Sequence, residues 1–236
     1  MRHLMMFALL VMLLVAAQYS KAQTADEIVD KYMTAMGGKE KMLALTSVKM
    51  EGSLNVQGMD IGITNTTKHG VGSRIDISVP GMGEGYRIVN MNKGWSFMPF
   101  QGQSAPEEMS AEELKSGQGQ LDVQGPLVNY KEKGNKVELL PNEKVDGEDC
   151  YKLKVTTPAG KVTTMFLSTK TMYRVKAVTV SQTPDGEKEV ETTYSDFKKN
   201  ADGYVFAYSQ TGGNGTMVFT NIETNKPVDD KLFVVN

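Results

Sequence analysis

The sequence predicts a mainly β (α+β) domain. It is one large curved antiparallel sheet of about eleven strands, an open half-barrel, with an N-terminal helix and a short helical insert covering the concave face. Three observations predict it. Strand-like segments with period-two alternation follow one another from residue 48 to the end, most of them joined by turns carrying glycine. Only residues 24–36 and parts of 104–131 read as helix. No fixed-period repeat, low-complexity tract or linker divides the 236 residues, so a single sheet is the economical architecture, and a sheet that wide curls.

The N-terminus reads as a targeting segment. Met1-Arg2-His3 is a short positive region, and the apolar run Leu4 to Ala17 follows. That run is short for a membrane span of about 20 residues. Ser20 and Ala22 are small residues at the positions a signal peptidase reads, so a signal peptide over 1–22, cut after Ala22, is expected. The expected mature unit is one exported domain over 23–236. Losing Arg2 and Lys21 takes the formal net charge from −2 to −4. Cys150 is the single cysteine, so the exported chain must stand on its core without an internal disulfide.

The elements follow in order. Thr24 and Glu27 stand in capping-box register, Ile28, Tyr32, Ala35 and Met36 repeat at helical spacing, and Gly37-Gly38 ends the helix. "KEKMLAL" adds a short helical turn. In "VKMEGSLNV", Val48, Met50, Leu54 and Val56 alternate with polar residues; Gln57-Gly58 turns the chain into "MDIGIT". "SRIDISV", "GYRIVNM" and "GWSFM" continue the meander, with Met50, Met59, Met91, Met98 and Met165 all placed on strands. The polar stretch from 104 to 131 predicts one or two small helices. One is capped by Ser110 with Glu113, its segment beginning around Glu107-Glu108, and another starts at Pro126 and carries Leu127, Val128 and Tyr130. Strands then run to the end, through Asp146-Gly147, Pro158-Ala159-Gly160 and Pro184-Asp185-Gly186 turns. The tail "PVDDKLFVV" predicts a helical turn that docks Leu232 and Phe233 back.

Composition and motifs exclude several function classes. A net negative chain offers no broad basic surface, so no nucleic acid is expected as a partner. His69 is the one histidine past residue 22; with one cysteine it supplies no metal site and no familiar thiolate dyad. No G-x-S-x-G, P-loop or H-E-x-x-H occurs, and "GMGEGY" precedes a strand rather than a helix. No cofactor, no metal and no catalytic residue are therefore expected, and the chain reads as a non-enzyme. What remains is an apolar interior rich in methionine, a residue that adapts to ligands of variable shape. Its candidate lining is Met50, Leu54, Met59, Ile61, Ile63, Ile75, Ile77, Tyr86, Ile88, Trp95, Phe97, Phe100, Leu127 and Tyr130. Dense packing by the same residues fits the pattern equally.

The segments "ADEIVDKYMTAMGGKEKM" at 25–42, "GWSFMPFQG" at 94–102, "GPLVNYKEKGNKVELL" at 125–140 and "TTYSDFKK" at 192–199 carry a resemblance. In their order the chain resembles the outer-membrane lipoprotein-sorting (LolA-like) proteins, on a long branch whose members are mostly of unassigned role. The resemblance implies an unclosed barrel with a helical lid, whose cavity shields lipid or lipoprotein acyl chains in the periplasm. It implies a membrane-bound donor or acceptor protein and a monomeric carrier. It also implies an arginine that holds the lid, for which Arg74 and Arg87 are the candidates. The alternatives are an envelope sensor or protein-interaction module on the same scaffold, and an enzyme built around His69.

Overall fold

The computed structural model describes residues 23–183 and 186–235. The expected signal peptide, and the turn expected at Pro184-Asp185, lie outside the described residues. The chain opens with α1 (Ala25–Ala35) and the short α2 (Lys39–Leu43). Both halves of the α1 capping box form: Thr24 accepts from the Glu27 N–H, and Glu27 accepts from the Thr24 N–H.

Five strands follow: β1 (Ser47–Val56), β2 (Met59–Lys68), β3 (Gly72–Val79), β4 (Gly83–Asn90) and β5 (Gly94–Phe97). A two-residue strand, β6 (Glu107–Glu108), precedes α3 (Ala111–Gln118). The rest is β7 (Lys136–Val145), β8 (Glu148–Thr156), β9 (Val162–Ser168), β10 (Arg174–Thr183), β11 (Gly186–Lys199), β12 (Val205–Gly212) and β13 (Gly215–Thr224). All belong to one 13-stranded sheet in the order β6-β5-β4-β3-β2-β1-β13-β12-β11-β10-β9-β8-β7. Every pairing is antiparallel, and neighbouring strands are consecutive in the chain except where β1 lies beside β13. That junction joins an N-terminal wing, β1–β6, to a C-terminal wing, β7–β13. The sheet does not close: β6 and β7 are its two ends, and the insert 109–135 runs from one to the other.

The single-sheet expectation holds, with three corrections of detail. Thirteen strands replace about eleven; Glu107 and Glu108 pair with Ser96 and Trp95 instead of beginning a helix. Residues 126–134 form successive turns, not a helix from Pro126, although Leu127 and Val128 are buried. Met91 lies in the β4–β5 turn, and Met98 follows β5. The C-terminal turn Asp230–Phe233 does dock back, with Phe233 fully buried against strands β3 and β4. Gly72 makes that possible, since a Cβ there would collide with the Phe233 ring.

Directly paired residues share a face, so the register sorts the side chains. The inner face is the one α1 covers. On the C-terminal wing, Leu153, Val155, Met165 and Leu167 point inward and are at most 1% exposed, packed under Ile28, Val29, Tyr32 and Met33 of α1. Val48, Leu127, Val128 and Ile222 complete this core. On the outer face of the same strands, Phe166 is buried beneath the ammonium groups of Lys152 and Lys176, which lie over its ring. Cys150, on the Lys152 face of β8, is fully buried; burial, and then the charge of Glu148, push its thiol upward.

Candidate functional site

The inner face of the N-terminal wing carries the same kind of residues without the same cover. Leu54 pairs with Ile61, and Ile63 with Ile77. Strand alternation therefore brings Leu54, Ile61, Ile63, Ile75 and Ile77 to one face, and all remain half-buried. Met98 and Phe100, which follow β5, and Met109, which precedes α3, wall this floor on one side. Residues Gly213, Asn214 and Gly215 of the β12–β13 turn form the other rim. The result is an open groove of about 1000 Å³ whose floor adds Val79 and whose edge carries Arg87, Ser96, Gln101, Gln103, Glu107 and Glu113. That is the upper end of ordinary ligand pockets, which run from about 300 to 1,000 Å³.

The expected lining divides between the two faces. Met50 points inward but joins the packed core, and Met59 is exposed at the β1–β2 turn. Tyr86, Ile88, Trp95 and Phe97 share the outer face, as the pairs Tyr86 with Phe97 and Ile88 with Trp95 require. There Tyr86 and Phe97 meet with ring centroids 5.6 Å apart, in a second concavity of about 720 Å³. Ile88 is buried under the C-terminal turn side, and Trp95 is half-buried opposite Glu108. Leu127 is a core residue. Tyr130 stands on the insert, where its hydroxyl donates to Asp26. Of the "WSFMPF" run, then, Trp95 and Phe97 face outward while Met98 and Phe100 enter the groove.

The two arginines separate in the same way. Arg74 is on the outer face, bonded to Asp76 at 2.7 Å and stacked 4.5 Å from the Tyr86 ring centroid. Arg87 is on the inner face, exposed, opposite Ile75 and Ser96. The Ser110 N–H and hydroxyl hold the Glu113 carboxyl below its ordinary range, and the charge of Arg87 adds to this. Arg87 is therefore the arginine that faces the insert.

The insert is pinned at both ends of its path. Gly117 of α3 packs against Val89, and the Gly70 N–H donates to the Leu121 carbonyl at 3.0 Å. Gln124 donates to the Leu43 carbonyl at 2.8 Å, and Lys133 meets Asp122 at 2.7 Å. Lys131 and Tyr130 both reach Asp26 of α1. His69, the lone histidine of the described chain, sits 3.7 Å from Asp122 within this anchorage. Among the described residues, no group of three or more His, Cys, Asp or Glu side chains is placed to hold a metal ion. No described helix is long and apolar enough to cross a membrane.

Val79, Met98 and Met109 belong to the groove although the sequence-based lining omits them. Alternation carried through Val79 and past Phe97 would have found the first two; nothing local marks Met109, whose partner is Gly94, the residue that leaves room for its side chain.

No family model and no curated protein matches this chain. Solved structures do. A LolA superfamily protein from Nitrosomonas europaea is 17% identical, with 91% of this chain and 99% of that chain covered and a TM-score of 0.59. A DUF1329 family protein from Desulfovibrio piger is 15% identical, covering 90% and 98%, with a TM-score of 0.61. A domain from Vibrio parahaemolyticus, named for outer membrane lipoprotein sorting, is 15% identical, covering 88% and 94%, with a TM-score of 0.55. At these identities the likeness is one of fold: the chain has the fold of the LolA superfamily structures over nearly all of its described length.

Proposed function

We propose that this protein is an exported, non-enzymatic binder of a long acyl chain, from a lipid or a lipoprotein, which lies on the open inner face of the N-terminal wing. The observation that carries the reading is the half-buried row Leu54, Ile61, Ile63 and Ile77, an open floor that α3 borders only at its edge, through Glu113. Each methylene moved from water onto such a surface contributes about 0.8 kcal/mol, and a single myristoyl chain alone holds a membrane only marginally. A groove of this size therefore competes with a bilayer for one chain. The fold shared with lipoprotein-sorting structures and the export signature of residues 1–22 support a periplasmic setting, with a membrane-bound donor or acceptor as partner.

The interaction-module reading has less support, because the free sheet ends are poor templates. β6 is two glutamates long, and β7 carries Pro141 inside a register shift between Leu140 and Glu143. Proline, charge and irregularity are the usual means of blunting an edge.

Two measurements test the proposal together. Native mass spectrometry of protein purified from its own periplasm should show co-purified lipid. Titration with cis-parinaric acid should saturate, and Ile63→Asn should weaken binding about tenfold. A lipid-free protein that also fails to bind the probe overturns the reading.

A further inference from the structure

Arg174 opens β10, where the register against β9 shifts between Arg174 and Lys176. Bulges re-aim side chains. Here Lys176 goes outward, to Glu191 at 2.6 Å and to the Phe166 ring, while Arg174 lies opposite Leu167 on the inner face. The Arg174 guanidinium stacks on Tyr194, 4.1 Å from the ring centroid, and is half-buried. Among the described residues it has no ion pair and donates no hydrogen bond. Arg74, by contrast, is bonded to Asp76.

Tyr32 of α1 is a core residue of the same inner face. It is 9% exposed, and the Arg174 charge partly opposes the upward push that burial gives its phenol. No hydrogen bond is formed by the hydroxyl of Tyr32 or of Tyr194 among the described residues. Stacking covers one face of a guanidinium but leaves its in-plane N–H groups free to donate. A cation–π contact stabilises the charge without neutralising it. The guanidinium is thus a cation whose donors stay open to solvent, with no acidic side chain paired to it among the described residues. An oxyanion in the guanidinium plane would accept two parallel charge-assisted hydrogen bonds from donors that stacking has already oriented.

We propose that Arg174, held against Tyr194, forms a binding site for a single oxyanion, a carboxylate or a phosphate, on the inner face of the C-terminal wing. The site lies on the C-terminal wing, away from the open groove, so it stands or falls independently of acyl-chain binding there.

The exported chain has three arginines, Arg74, Arg87 and Arg174, so its arginine Nε–H signals are few enough to assign with single variants. The purified protein is titrated with sodium acetate and with inorganic phosphate at constant ionic strength, using sodium chloride as the reference. The Arg174 Nε–H signal should shift and saturate with one or both oxyanions, while the Arg74 signal stays in place. Preference for acetate identifies a carboxylate ligand, such as a free fatty acid; preference for phosphate identifies a phosphate group, free or on a lipid head. Arg174→Lys should raise the dissociation constant about tenfold, and Tyr194→Phe by a smaller factor. Backbone amide spectra establish that each variant is folded. An Arg174 signal that does not move or that moves equally with chloride overturns the site, as does unchanged affinity in folded Arg174→Lys or Tyr194→Phe protein.

Discussion

The two wings of one sheet solve the same problem differently. On the C-terminal wing the inward-facing row Leu153, Val155, Met165 and Leu167 is sealed by α1 to 1% exposure or less. On the N-terminal wing the equivalent row Leu54, Ile61, Ile63 and Ile77 is equally apolar and stays half-buried. The strands are alike in alternation; what differs is the helix each receives, the 11-residue α1 with its apolar face over the C-terminal wing and the short polar α3 at the edge of the N-terminal one. The C-terminal wing therefore buries its inward row under α1, and the N-terminal wing, although Ile88, Val89 and Phe233 are buried there, keeps a row of apolar surface open. A chain whose apolar helix face lies over one wing leaves a floor for something else on the other.

The comparison is broken most directly by truncating one residue in each row. Leu153→Ala removes buried methyl groups from a dense core and should cost about 2–5 kcal/mol in urea unfolding. Ile63→Asn alters a side chain that already meets solvent and should cost less than about 1 kcal/mol. The same Ile63 change should weaken parinaric acid binding, whereas folded Leu153→Ala protein should retain it. Equal destabilisation by both would mean that the N-terminal wing is packed in solution, and the distinction between the wings would fail.

Much of this was legible in the chain. Alternation in "VKMEGSLNV" and "SRIDISV" places Leu54 and Ile77 on one face without any structure, because strand periodicity is local. Both capping boxes, at Thr24 and Ser110, form as the residues require. Alternation does not say which face of β4 and β5 joins which face of β1. That depends on register across turns, and so Tyr86, Ile88, Trp95 and Phe97 were grouped with residues on the opposite face. Nor does it say where α1 lands. Its landing depends on Val205 donating to the Met36 carbonyl and on Tyr204 donating to the Lys41 carbonyl, contacts between residues far apart in the chain. Arg174 was invisible for a similar reason: a bulge turned it inward.

The insert that links the wings should give smaller effects. Lys133 meets Asp122 at 2.7 Å and donates to the Gly125 carbonyl at 3.0 Å, partly shielded from water. Lys133→Met should cost about 1 kcal/mol in global stability. Hydrogen exchange should show where that loss falls: faster exchange at the Gly125 and Gly134 amides, with β8 and β9 unchanged. Loss of protection in β8 and β9 as well would mean that the insert and the packed wing open as one unit.

The smallest expected effect is at Asp26, the contact between the insert and α1. Its carboxyl is held below the ordinary value by bonds from Lys131 and then from Tyr130. A carboxyl depressed in the folded state contributes stability above its unfolded value and loses that contribution as pH falls through the folded value. The site is exposed, so solvent and salt screen it heavily. Asp26→Asn should therefore lower Tm slightly at neutral pH, and the gap between variant and parent should close on acidification below the ordinary carboxylate range. Added salt at neutral pH should narrow it too. The wings predict where the effect goes: because α1 is sealed onto the C-terminal wing by Ile28, Val29 and Met33, losing Asp26 should free residues 130 and 131 and leave the helix seated. A gap that widens in acid, or an α1 that exchanges its amides faster in Asp26→Asn, would show that the insert helps hold the helix down.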